Sequence, residues 1–233
     1  MLDKTRAKLK SYTDGDPQRC ADGQFRKVDA ETRIKPSEIE KLLSLYNEVK
    51  PDLSIETGMA YGFSTIPFLD ANAQRKHGRH IAIDPDQITK WHGLALASIE
   101  DLGFSDFFHW ISSTSDQAFV EMTRQAQHGQ FFFFDGIHSF DGLMTDFFLA
   151  NQILEVGGML VFNQLWMPGG RAMLSYIHNN FDCYRLIPTG SDQLFAFRKV
   201  SQDSRLWDHF VAFDGSGKAR DEPERSLWRK LLG

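Results

Sequence analysis

The sequence predicts a doubly wound α/β fold: a seven-stranded, mostly parallel sheet covered by helices, with an antiparallel hairpin at one edge. Three observations carry this reading. From residue 36 onward, short apolar runs alternate with segments whose apolar residues recur at helical spacing, the signature of strand–helix–strand units. Some of the short runs are apolar at every position: residues 131–134 read FFFF, in a chain with 20 phenylalanines. A strand apolar on both faces belongs inside a parallel sheet with helices above and below it. Finally, two strand-like runs near the end, 182–187 and 193–198, are separated by PTGSD, which reads as a hairpin turn.

Taken in order, the first helix starts behind Pro36, carries Ile39, Leu42, Leu43, Tyr46 and Val49 on its apolar side, and stops at Pro51. A strand from Leu53 follows at once, then a glycine turn and a helix over 64–76 that Gly78 closes. The second strand is 79–84. Ala95, Ile99 and Leu102 mark the next helix, which ends at Gly103; the third strand is about 107–111. A helix over 115–127, with Ala118, Phe119, Met122 and Ala126 on one face, stops at Gly129 and leads to the strand 131–134. After a helix over 140–154, Gly157-Gly158 precede the strand 159–162, and a polar turn, NQLWMPGG, leads to a helix over 171–180.

Around this core, residues 1–34 read as a polar, partly ordered arm with DGDP and ADG turn signals, suited to a lid or a dimer contact. Residues 35–200 form the domain. The charged tail 201–233, with Trp207, Phe210, Val211 and Phe213 as an apolar patch, is expected to pack on it. A net charge of −5 gives no electrostatic case for nucleic acid. No apolar run approaches the roughly 20 residues of a membrane span, and the N-terminal residues lack the apolar stretch of a secretory signal. Two isolated cysteines, Cys20 and Cys183, fit free thiols in a cytoplasmic protein.

The chemistry concentrates in LSIETGMAYGFSTI, residues 53–66. A strand ends in Glu56, a turn with Gly58 and Gly62 follows, and Ser64-Thr65 open a helix. Glycines let backbone approach a ligand, and a helix N-terminus offers unpaired N–H groups. The dinucleotide spacing G-x-G-x-x-G is not met, because Ala60 stands at the second glycine position and Phe63 at the third. The second strand ends in Asp84, and one carboxylate can accept both hydroxyls of a ribose. An adenosine-type ligand without a pyrophosphate anchor fits this pair of signals.

Four motifs in order, ETGMAYGFST, IDPDQITKWHG, FFFFDGIHSFDGLMTDFF and LEVGGMLVFNQLWMPG, make residues 36–200 resemble the class I S-adenosylmethionine-dependent methyltransferases. Within them the chain resembles the small-molecule O-methyltransferase-like group, methyltransferase family 24, with its Rossmann-like sheet. The resemblance implies that Glu56 and Gly58 line the methionine end of S-adenosylmethionine with Gly62 next to them, and that Ala60, Tyr61, Ser64 and Asp135 also belong to the cofactor site. Asp84 would bind the ribose, Ser113 would stand at the adenine position, and Asp135 would end the fourth strand at the ligand edge. Trp91 is a candidate cover for the adenosine, with core packing at a helix start as the equal alternative.

His138, three residues past Asp135, is the candidate general base: O-methylation releases a proton, and histidine titrates near working pH. Relatives that hold Mg²⁺ place two acids where this chain has Asn163 and Gln164. One carboxylate with two amides makes a weak site for a hard cation, so Asp135, Asn163 and Gln164 are expected to hold no metal tightly. They and Trp166 are then free to meet a small-molecule acceptor. The expected activity is methyl transfer to an oxygen, with Asp135 assisting His138 and a homodimer among the assemblies the arm and tail would allow. The competing reading is a cofactor-binding relative with altered catalysis, either non-enzymatic or hydroxylase- or oxidoreductase-like.

Overall fold

The computed structural model describes residues 1–29 and 34–214. Its elements in chain order are α1 (Asp3–Asp14), β1 (Gln18–Arg19), β2 (Phe25–Arg26), α2 (Pro36–Val49), β3 (Leu53–Thr57), α3 (Thr65–Arg75), β4 (Arg79–Ile83), α4 (Leu94–Asp101), β5 (Phe108–Ile111), α5 (Ser115–Arg124), β6 (Gly129–Phe134), α6 (Phe140–Ile153), β7 (Leu154–Phe162), α7 (Pro168–Asn180), β8 (Tyr184–Ile187) and β9 (Phe195–Lys199). Seven of the strands form one sheet in the order β5-β4-β3-β6-β7-β9-β8, and β1 pairs with β2. The pairs β3–β4, β4–β5 and β6–β7 are parallel; β7–β9 and β8–β9 are antiparallel. This is the doubly wound sheet with an edge hairpin that the sequence predicts. Two compact units divide the chain, residues 1–118 and 119–233.

In the first unit, β3 and β4 run side by side from Leu53↔Arg79 to Thr57↔Ile83, so both strands end at the same level. That register brings the glycine turn and Asp84 together. α3 ends earlier than expected. Lys76, not Gly78, takes the left-handed cap conformation (φ 54°). Gly78 (φ +91°) serves a close approach instead, since a Cβ there would stand 2.7 Å from the Pro51 carbonyl oxygen.

The N-terminal stretch read as a polar arm is helical from Asp3 and then forms a small hairpin. Its helix has two buried apolar side chains, Leu9 and Tyr12, and the segment after it adds Cys20, Val28 and Ile34; the helix is also held by polar contacts. Thr5 Oγ1 and the Leu2 amide both donate to the buried carboxyl of Asp70, and the Tyr12 hydroxyl donates to Ser98 Oγ at 2.7 Å. Residues 30–33 of that stretch lie outside the described residues.

The second unit is built on phenylalanine. Phe131, Phe132, Phe133 and Phe134 are all buried, opposite Met159, Leu160, Val161 and Phe162 of β7. Phe134, Phe162 and Phe195 stack in a column with ring centroids 4.5 and 4.6 Å apart. β7 begins five residues before the expected 159. Gly157 (φ +94°) and Gly158 lie inside it at a register shift, and a Cβ on Gly158 would meet the Gln130 carbonyl at 2.8 Å. α5 stops at Arg124 rather than 127, with Ala126 at φ 50°.

Within the tail, Phe213 packs near Phe140 and Tyr176, and Val211 exchanges two hydrogen bonds with the Asn180 side chain. Trp207 is 96% exposed, so the expected apolar patch is only partly packed. Residues 215–233 of that tail lie outside the described residues. Both cysteines are buried free thiols. Among the described residues, no helix is long and apolar enough to cross a membrane.

The polar docking of α1 is testable. Thr5→Val keeps the shape and removes the hydroxyl donor to Asp70. It should lower the unfolding free energy by about 1–3 kcal/mol, the cost of leaving a buried acceptor one donor short, read as a lower urea midpoint at unchanged slope.

Candidate functional site

The candidate residues of the first unit gather around one carboxylate. Beyond β3 the backbone turns through three positive-φ residues, Gly58 (83°), Ala60 (44°) and Gly62 (81°). Gly62 also needs its missing side chain, because a Cβ would come within 3.1 Å of Ala95 Cβ. Asp84, 4% exposed, reaches across from the end of β4 into this turn. Its Oδ2 accepts from the Met59 amide at 3.1 Å, the Ala60 amide at 2.9 Å and Gln87 Nε2 at 3.0 Å; Oδ1 accepts from the Asp86 amide at 2.8 Å. Trp110 Nε1 donates to the Asp84 carbonyl at 2.8 Å and fixes the backbone. The ribose candidate is therefore also the clasp of the glycine turn.

Glu56 and Ser64, expected to face a ligand, are spent on each other. Glu56 is completely covered; its carboxylate accepts from Ser64 Oγ at 2.8 Å and from Thr65 Oγ1, which ties the end of β3 to the start of α3. His80 Nε2 lies 3.4 Å from the same carboxylate, and His80 Nδ1 is 2.8 Å from Ser54 Oγ. Tyr61 and Trp91 meet edge to face, centroids 5.0 Å apart, beside the turn. Ser113 turns its hydroxyl onto the Thr114 carbonyl. Two contributors escaped sequence reasoning: Gln87 and Trp110. For Gln87 the only signal was its place three residues after Asp84; for Trp110 there was none.

This arrangement fits a nucleoside. The turn contributes backbone rather than side chains, Ala60 and Phe63 stand where the dinucleotide motif has glycines, and Oδ1 of Asp84 accepts one hydrogen bond where a carboxylate oxygen has capacity for about two.

In the second unit, Asp135 follows β6, half-buried, and its Oδ1 accepts from Asn163 Nδ2 at 3.1 Å. Gln164 is fully buried and donates from Nε2 to the Phe134 carbonyl at 3.0 Å. Asn163 Oδ1 and Gln164 Oε1 have no partner among the described residues. α7 starts at Pro168, three residues earlier than expected, because its glycines allow contact that side chains would forbid. A Cβ on Gly170 would fall 1.9 Å from the Gln164 carbonyl oxygen, and one on Gly169 would fall 2.8 Å from the His138 carbonyl oxygen. The His138 loop is thus buttressed by α7. His138 itself is exposed, and partial desolvation holds its pKa below the ordinary 6.5. Trp166 is 56% exposed.

The donor set does not suit a hard divalent cation. Asp135 is its one carboxylate, and the Asn163 amide nitrogen already faces it, so a cation would have to turn that amide over. Among the described residues no group of three or more His, Cys, Asp or Glu side chains could hold a metal ion.

Comparison places this architecture in a class. Residues 55–164 match a methyltransferase domain, that of methyltransferase family 24. The chain has the class I methyltransferase fold, and its central segment is similar to that family's domain. An S-adenosylhomocysteine-bound methyltransferase from Podospora anserina superposes with a TM-score of 0.63 at 12% identity, over 86% of this chain and 89% of that one. An O-methyltransferase from Bacillus cereus in complex with S-adenosylhomocysteine gives 0.58 at 13% identity, over 84% and 90%. A methyltransferase from Geobacter sulfurreducens gives 0.54 at 17%, over 73% and 81%. No curated protein matches.

The dual role of Asp84 separates it from a residue that only touches ligand. Asp84→Ala strands the Met59, Ala60 and Asp86 amides. It should cost about 2–4 kcal/mol of stability, at roughly 1 kcal/mol or more per unpaired buried donor, measured by chemical denaturation without any ligand.

Proposed function

We propose that this chain is an S-adenosylmethionine-dependent methyltransferase that methylates an oxygen of a small molecule, with His138 as general base. The observation that carries the proposal is the glycine turn clasped by Asp84 in a domain of methyltransferase family 24. S-adenosylhomocysteine in two of the similar structures supports the same donor.

S-adenosylmethionine supplies an electrophilic methyl group on a sulfonium. Asp84 holds the ribose through Oδ1, the backbone of the turn at Gly58, Ala60 and Gly62 lines the methionine end, Tyr61 and Trp91 shield the nucleoside, and Ser113 stands at the adenine. On the acceptor side, Asn163 Oδ1, Gln164 Oε1 and Trp166 meet the small molecule. When bound, the donor would pass its methyl group to an acceptor oxygen and leave as S-adenosylhomocysteine, and His138 would take the hydroxyl proton. The protein's share is alignment and proton removal. Asp135 is held by Asn163 and assists by accepting a hydrogen bond rather than by ligating a metal. A cytoplasmic setting and a homodimer belong to the same reading, with neither nucleic acid nor membrane as partner.

Isothermal titration with S-adenosylmethionine and S-adenosylhomocysteine tests the donor. Micromolar binding that survives EDTA is expected; no binding by either would overturn the reading. For the base, His138→Ala should lower turnover by roughly 10²–10⁴ and leave donor affinity within about twofold. The pH dependence has a definite sign. Because packing disfavours the imidazolium, the neutral base persists to lower pH than a free histidine allows. The acidic limb of the rate profile should fall below pH 6.5 and vanish in His138→Ala; a limb unchanged by the substitution would remove the base assignment.

A further inference from the structure

Gln87 lies three residues past Asp84, in the segment joining β4 to α4, and is completely buried. Its backbone carbonyl accepts from the Gly93 amide, which fixes the residue in that segment. Its side chain bridges the two components of the clasp. Nε2 donates to the Ala60 carbonyl at 2.7 Å and to Oδ2 of Asp84 at 3.0 Å. The amide has one tolerable orientation, since turning it over would set Oε1 against both a carbonyl and a carboxylate. Oε1 in turn has no partner among the described residues, a cost accepted for keeping Nε2 on the clasp.

The two oxygens of Asp84 are loaded unequally. Oδ2 receives three N–H donors, two from the turn and one from Gln87; Oδ1 receives one, from Asp86. A carboxylate oxygen accommodates about two hydrogen bonds well. Gln87 therefore saturates Oδ2 and leaves Oδ1 as the oxygen with capacity to spare.

We infer that Gln87 is a positioning residue for the methyl donor: by filling Oδ2 and holding the Ala60 carbonyl, it orients Asp84 so that Oδ1 meets a ribose hydroxyl. Gln87 thereby sets the preference of the site for ribosyl over deoxyribosyl ligands. This inference rests on the methyl-donor reading above and adds to it a residue that acts through Asp84 rather than on the ligand.

The test is calorimetry of the full chain with S-adenosylhomocysteine and its 2′-deoxy and 3′-deoxy counterparts. Wild type should bind the ribosyl ligand and lose about tenfold or more for at least one deoxy analogue. Gln87→Met, close to isosteric, should bind S-adenosylhomocysteine about ten- to hundredfold more weakly, the range for one hydrogen bond at a charged group. It should also discriminate little between ribosyl and deoxy ligands. The two residues should be coupled, so in an Asp84→Asn background Gln87→Met should change affinity by less than about threefold. A folded Gln87→Met that keeps wild-type affinity and wild-type discrimination overturns the inference, as does a full further loss in the Asp84→Asn background. If Gln87→Met does not fold, Gln87→Glu decides: it keeps the shape but sets a second carboxyl against Asp84, and unchanged discrimination there overturns the inference. Failure of wild type to bind S-adenosylhomocysteine at all would instead overturn the methyl-donor reading.

Discussion

The constraint on which the first unit depends is the need of Asp84, buried at the end of β4, for hydrogen-bond donors. A carboxylate removed from water is costly unless its oxygens are satisfied. Here the donors come from Met59 and Ala60 in the turn and from Asp86 and Gln87 in the following segment. The acid in turn supplies acceptors for backbone amides that a turn of three positive-φ residues cannot pair within itself. Each side thereby stabilises the other, and the parallel register of β3 with β4 brings them to the same level. A turn fixed in this way keeps its backbone ready for a ligand without being ordered at the moment of binding.

Beneath the turn, a second group of polar side chains performs a different task. Glu56 joins Ser64 and Thr65 at the start of α3, and His80 approaches it from the neighbouring strand. Through Ser54, the Tyr46 hydroxyl and Asn72, the polar contacts continue from β3 to α2 and α3. These bonds are directional where aliphatic packing is not. They set the angle at which α3 leaves the turn, so the residue types that mark a ligand site in the sequence are used here for its support.

What was legible follows from what each signal depends on. The buried parallel strand at Phe131–Phe134 could be read because burial on both faces leaves a mark at every residue. The edge hairpin and the strand-end acid Asp84 were equally plain. The helix α1 was not, since its docking relies on Asp70, far along the chain, rather than on an apolar stripe of its own. Gly78 and Gly158 were read as helix or loop punctuation, whereas they answer steric demands of partners remote in sequence, Pro51 and Gln130. Local spacing records periodicity and turns; it does not record which backbone passes within 3 Å of a given Cβ. For the same reason the sequence offered Glu56 and Ser64 as ligand contacts and passed over Gln87.

The second unit shows why the pair Asn163-Gln164 changes more than a ligand count. Two acids there, with Asp135, would set three carboxylates together and require a cation to make them tolerable. Two amides remove that requirement, because they add no charge beside Asp135 and Asn163 gives it a neutral hydrogen-bond donor. The change carries a chemical consequence. A bound cation lowers the pKa of an oxygen it touches, whereas a neutral amide does little to it, so under the proposed oxygen methylation proton removal would fall to a base. Partial desolvation holds the His138 imidazole below the ordinary histidine pKa, which favours its neutral form. Such a base is weak, and weak bases act best on protons already loosened in the transition state. In methyl transfer the proton loosens as the carbon–oxygen bond forms, so the base need not act first. Neutral amides beside Asp135 and a partly desolvated histidine on the loop buttressed by Gly169 thus form one consistent chemical arrangement.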